Sequence, residues 1–342
     1  MSYDILKKTN PLDKKVSMAM LSNMKIFVSL TILALGYQSA SAGSLLETFG
    51  TGANAFTMEF VTIGNPGNAA DTTGNPNPAG SVAYTYNLGK YEVSRGQIDN
   101  ANAAGNLGIT LQNMSSLGGN GLLKPATGIS YYEAARYVNW LNSSTGNTAA
   151  YKFDGSGTFQ LWSPGDAGYS ANNMFRNSQA KYVIASSNEW YKGAYGNLDG
   201  TWNDYPTGIN FPFTPPTSVT GGTAANTAVY GQNYFAYIGP ADITNAGGLS
   251  PYGTMGQGGN VGELIETAYD GSNNIAGERI ERRGGNWYDG AGALDASTRY
   301  YFDPSNENAS IGFRVAAVGV PEPSTGLLVV LGLSGLLLRR RK

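Results

Sequence analysis

The sequence predicts an α+β fold in which irregular loops outweigh regular elements. Three observations carry this. Three capping boxes, each a Ser followed three residues later by Gln or Glu, open short amphipathic stretches. Runs of β-branched and aromatic residues lie between them and read as strands. Glycine supplies 47 of 342 residues and is dense in Ser250–Ala316, beside single aromatic and charged residues. Glycine is the residue of positive φ and of close backbone approach. That last stretch therefore reads as loops and short strands pinned by side chains, not as a long helix or a plain ladder.

The elements follow in order. Residues 1–42 read as an export signal: Lys14, Lys15 and Lys25 precede apolar Ile26–Gly36, and Ala40-Ser41-Ala42 forms a small-residue cleavage site. Thr57–Gly64 has strand composition, and Asn65–Ser81 is a loop by its Gly, Pro and Asn content. Val82–Val93 returns to strand character. Ser94 with Gln97 opens a helix ending near Gly105, with Ile98 and Ala101 on one face. Ser130 with Glu133 opens a second, whose Tyr131, Ala134, Ala135, Val138 and Leu141 share a face. Ser186 with Glu189 opens a third. Gly200–Thr223 is a long loop, Pro-rich at its centre.

Residues 319–342 form a separate module. Val320-Pro321-Glu322-Pro323-Ser324 leads into apolar Gly326–Leu338 and then Arg339-Arg340-Arg341-Lys342. Thirteen helical residues span about 20 Å against roughly 30 Å of hydrocarbon, and the basic end marks the cytoplasmic side. Between the two terminal modules, 43–319 carry 13 basic and 21 acidic residues. With a net charge of −8 and no basic patch, nucleic acid is not an expected partner. Cys and His are both absent. That removes disulfides, thiol nucleophiles, Cys/His zinc sites and imidazole bases.

Five stretches resemble one family, in its own order: GKYEVSRGQ (Gly89–Gln97), PATGISYYEAARYVNWLN (Pro125–Asn142), YVIASSNEWYKGAYG (Tyr182–Gly196), GGNVGE (Gly258–Glu263) and RGGNW with a closing GFR (Arg283–Trp287, Gly312–Arg314). Together they look like the formylglycine-generating enzyme, or sulfatase-modifying factor, family. The resemblance implies that family's C-type-lectin-like fold over 43–318. The tail's Pro321-Glu322-Pro323 resembles the PEP-CTERM sorting signal, which implies a Gram-negative envelope or extracellular matrix, transient inner-membrane anchoring and an exosortase as processing partner.

The family's oxidase site needs a cysteine pair, and a related branch holds iron on histidines. Neither site can exist in this chain. The resemblance also implies a structural calcium at the GGNVGE motif, with Asn260, Val261 and Glu263 as oxygen donors, and Asn226 and Asp242 as a looser second set. The competing reading makes Asn260 a turn residue and Glu263 an ion-pair partner. Gly262 stands where the family has Trp. Arg283, Arg299 and Arg314 either bind an anion or pair with Glu263, Glu266 or Asp303 to hold loops; the second is favoured. Glu263, Glu266, Asp270, Asp289, Asp295 and Asp303 offer carboxylates for an unrecognised catalytic or metal site. Tyr151, Trp162, Trp202, Tyr205 and Trp287 are candidates for stacking on sugars, with core packing the likelier alternative. The expectation is a non-catalytic module that binds a glycan or surface protein; the alternative is an enzyme built on the carboxylates.

Overall fold

The computed structural model describes residues 44–208, 214–236 and 238–319. The export signal and the sorting tail lie outside these residues. Among the described residues, no helix is long and apolar enough to cross a membrane.

Thirteen strands run in chain order: β1 (Ser44–Phe49), β2 (Phe56–Ile63), β3 (Tyr86–Gly89), β4 (Lys152–Phe153), β5 (Phe159–Gln160), β6 (Tyr182–Ile184), β7 (Thr217–Ser218), β8 (Thr227–Ala228), β9 (Gly262–Ala268), β10 (Ile280–Arg283), β11 (Tyr300–Phe302), β12 (Ile311–Gly312) and β13 (Val315–Val318). Among the described residues three α-helices join them: α1 (Arg95–Gly105), α2 (Tyr131–Ser144) and α3 (Ser187–Tyr195).

The main sheet is antiparallel with order β1-β2-β3-β13-β6. Both of its faces are buried: register turns Phe60 and Val315 to one side and Leu88 and Val183 to the other, and all four join one core with Val138 and Leu141 of α2 and Trp190 of α3. A second sheet has order β11-β10-β9-β12, with β12 parallel to β9. Only Phe313 and Arg314 separate β12 from β13, so the chain passes directly from the second sheet into the first.

All three helices begin where the capping boxes place them, and each box closes in both directions. Each such Ser satisfies an otherwise orphaned amide and is worth about 1 kcal/mol. α1 stops at Asn106, whose left-handed φ of 51° ends the helix. The strand reading was right at 57–64 but too generous at 82–93. There only Tyr86–Gly89 pairs, because the Val82 carbonyl accepts from Gly67 N–H of the preceding loop. β1 was not anticipated.

Candidate functional site

The family-like motifs converge on one buried polar cluster. Arg314 grips Glu263 in a fork: Nε lies 2.7 Å from Oε2 and Nη2 2.5 Å from Oε1. Its remaining donors meet the carbonyls of Gly89 and Met255 at 2.8 and 2.9 Å. The indole N–H of Trp190 donates to Glu263 Oε2 at 2.6 Å. Beside this pair, Asn260 Nδ2 donates to Glu92 at 2.6 Å and the Val261 amide donates to its other oxygen at 3.2 Å. Burial pushes the Glu92 carboxyl far above its ordinary range, and the nearby Glu263 charge adds to the effect while Arg314 opposes it. The glycine pair in GGNVGE has a steric reason: Gly259 sits at φ +85°, and a Cβ there would meet the Val229 carbonyl at 2.2 Å.

These residues do not fit the expected calcium. Both Glu263 oxygens are taken by N–H donors, and the Arg314 guanidinium already supplies the positive charge that a cation would bring. Asn260 Oδ1 accepts the Ala241 amide at 2.8 Å, and the Val261 residue is fully buried against Glu92. The looser set fares no better. Asp242 pairs with Lys124 at 3.4 Å, while Asn226 is an exposed turn residue at φ 61° whose carbonyl accepts from Thr217. Among the described residues, no three carboxylates gather as a metal cage. The ion-pair reading of Glu263 is the one the geometry carries.

The other candidates disperse. Arg176 bridges Glu189 and Glu266, at 2.9 and 2.8 Å. Burial raises both carboxyls; at Glu189 two guanidinium bonds overcome this and hold it down at about 2, whereas Glu266 stays raised. Asp270, Asp295 and Asp303 each accept the amide two residues on, as ordinary turn caps. Arg283 and Arg299 do hold loops, but through Glu281, not Glu266 or Asp303. Of the proposed sugar-stacking rings, Tyr151, Tyr205 and Trp287 are buried; Trp162 and Trp202 are half-buried. Tyr151 is committed to Glu266 at 2.7 Å, and Trp162 to the Ala150 carbonyl at 3.0 Å.

The open chemistry lies on the outer face of β10 and β11. Strand alternation buries Glu281 and Arg283 on one side and turns Arg282 to the other. Arg282 sits directly opposite Tyr300 in the ladder, and its guanidinium stacks on that ring at 4.6 Å. Arg279 stacks on Tyr301 at 4.3 Å and Arg299 on Tyr269 at 4.1 Å. Arg282, Arg299, Tyr269, Tyr300 and Tyr301, with Tyr288 and Ser310, line an open cleft of about 500 Å³ whose lining includes no carboxylate. Arg282 is half-buried and, among the described residues, its side chain makes no salt bridge or hydrogen bond; the carboxyl that feels its charge is Asp289, which it pulls down against burial. Beside the cleft, Tyr288 packs on the buried Trp287, 4.9 Å away, which stacks on the exposed Tyr234 at 5.6 Å, next to Phe235 at 81% exposure. Sequence reading passed over Arg282, Tyr269, Tyr288, Tyr300 and Tyr301. No local pattern marks Arg282: Ile280, two residues before it, is buried, and the ladder with β9 bulges between them. A smaller cleft of about 210 Å³ is lined by Asp204, Tyr205 and Asp295; burial, then Asp295 and Asp71, raise the Asp204 carboxyl.

Residues 52–318 match the Sulfatase-modifying factor enzyme 1-like domain, and residues 319–342 match the PEP-CTERM protein-sorting motif. No curated protein matches the sequence. Among solved structures, Treponema denticola variable protein 1 is similar at 18% identity and a TM-score of 0.54, covering 81% of this chain and 99% of that one. PvdO from Pseudomonas aeruginosa is similar at 19% identity and a TM-score of 0.50, covering 81% and 98%. These likenesses concern the fold.

Proposed function

The chain belongs to the sulfatase-modifying factor family, has that family's α+β fold and carries a tail that marks it for export and exosortase processing; from this premise we propose that it is a non-catalytic binding module of the cell envelope or matrix. Its ligand is an anionic glycan, held in the Arg–Tyr cleft. The carrying observation is Arg282: a half-buried guanidinium on a tyrosine ring, without an ion-pair partner, in a cleft free of carboxylates. Sugar faces stack on tyrosine rings, and a guanidinium fork suits a carboxylate or sulfate. In a domain of net charge −8, a local cationic cleft also selects the sign of its ligand.

The test is titration of oligogalacturonate into wild-type protein, Arg282→Ala and Tyr300→Ala. Either variant is expected to weaken binding by about 1–2 kcal/mol, the cost of a lost charged hydrogen bond or stacked ring, without lowering the melting temperature. Unchanged affinity in both variants would remove the cleft from the account.

A hydrolytic reading attaches to Asp204 and Asp295, since a raised carboxyl beside a second one is an acid–base arrangement. Turnover of any glycan that disappears in Asp204→Asn would establish it.

A further inference from the structure

The register of the main sheet places both ends of the domain together. Ser44 pairs with Val61, Val61 with Leu88, and Leu88 with Ala316, so these four residues form one row across the sheet. Two residues further on, Ile63, Tyr86 and Val318 form the last row. The first residue of β1 and the last of β13 therefore leave the same end of the same sheet, within two residues of one level. Three strand spacings separate β1 from β13, or about 14 Å. The sorting motif begins at 319, one residue beyond Val318.

That end is held firmly. Val318 lies on β13, flanked by β3 and β6, and its amide donates to the Lys181 carbonyl at 2.8 Å. The sheet is thus fixed up to the point where the motif starts. From residue 319 to the apolar run at Gly326, seven residues reach at most about 25 Å. The eight residues of β2 run about 26 Å from the attachment end to the opposite turn. A tether no longer than that holds the attachment end, on average, nearer the bilayer than the opposite end. The opposite end is the turn Gly52–Asn54 between β1 and β2.

The path of the chain gives this a consequence for the cleft. Ser310 and Ile311 line the cleft, and the chain then enters β13 at Val315, the end away from Val318. β13 thus runs from the cleft side toward the anchor. We propose that the sheet end carrying Ser44, Thr85 and Val318 is the membrane-facing pole of the anchored chain, that its partner is the lipid surface, and that the cleft is fed from the far end of β13.

The absence of cysteine makes the test direct. Single-cysteine variants Thr85→Cys, Ser44→Cys and Ala53→Cys of the chain freed of its export signal, residues 43–342, are labelled with a fluorophore and reconstituted into vesicles containing headgroup-nitroxide lipid. Thr85 and Ser44 are exposed beside the pole, and Ala53 is exposed in the opposite turn. Strong quenching is expected at 85 and 44 and little at 53. Equal quenching at the two ends, or stronger quenching at 53, would overturn the proposal. Ser334→Cys reports the anchor itself: an unquenched label there would show that the tail does not hold the chain to lipid, and would overturn the proposal as well.

Discussion

The charged residues that look most like chemistry in this chain are mostly framework, and their energetics make that testable. Arg314 neutralises Glu263 beside a second buried carboxyl, Glu92. Removing one member of a buried pair leaves an uncompensated charge and costs about 3–5 kcal/mol. Arg314→Ala is therefore expected to lower unfolding free energy by that amount, and Arg314→Lys by an intermediate amount, because the fork to Glu263 is lost. Urea melts check both. Chelator is expected to leave the wild-type melt unchanged, while Glu263→Ala lowers it through the orphaned Arg314. The second pair sets an acid limit. Glu189 is held at about 2 against an ordinary 4.5, so its contribution is complete above pH 4.5 and is lost as pH falls toward 2. That loss is about 3 kcal/mol, and Glu189→Gln should flatten the fall. Glu92 and Glu266 are raised and act with the opposite sign: their contribution is complete below pH 4.5 and declines as pH rises. At this scale the sequence was partly legible. The Arg314–Glu263 pair was among the readings weighed, since RGGNW and GFR were read as framework motifs and Glu263 as one possible partner of their arginines. Glu281 was missed as the partner of Arg283 although the two sit at period-two spacing on one strand, because nothing local marks 280–283 as a strand; its contact with Arg299 is a product of strand pairing that no spacing in the sequence reveals.

Local signals served helices better than strands. A capping box states its own geometry within four residues, and Ser94, Ser130 and Ser186 each fulfil it. Ser130→Ala is expected to cost about 1 kcal/mol, read as a fall in the thermal melt. Strand ends depend on a partner elsewhere: Val82 has strand composition, yet its carbonyl is claimed by Gly67. The RGG motif is likewise explained by tertiary structure. Gly284 lies at φ +89°, and a Cβ there would stand 2.6 Å from the Gln257 carbonyl. Gly284→Ala is thus expected to destabilise by more than the roughly 1 kcal/mol that a relaxed glycine site tolerates; comparing its melt with that of Gly292→Ala, where nothing lies within 4 Å, isolates the effect. The cleft is an element-scale feature. Arg282 and Tyr300 are eighteen residues apart and meet only because β10 and β11 place them opposite one another.

Across the whole molecule, absence carried much of the inference. A chain without Cys or His has no residues for a cysteine-pair or histidine-iron site, while its fold is that of the family whose model it matches. The same framework is free to carry another surface, and here the outer face of β10–β11 offers arginine–tyrosine stacks in place of reactive groups. Composition led to the expectation of a binding module; it could not point to that face, because the domain as a whole is acidic and the cleft's charge is local. The central claim is that this cleft receives an anionic glycan. The most direct measurement is amide hydrogen exchange of the wild-type protein with and without saturating oligogalacturonate. The account predicts slowed exchange in Ile280–Arg283 and 299–302, weakened at high salt. Protection confined to the loops of Asp204 and Asp295, or no protection anywhere, would contradict it.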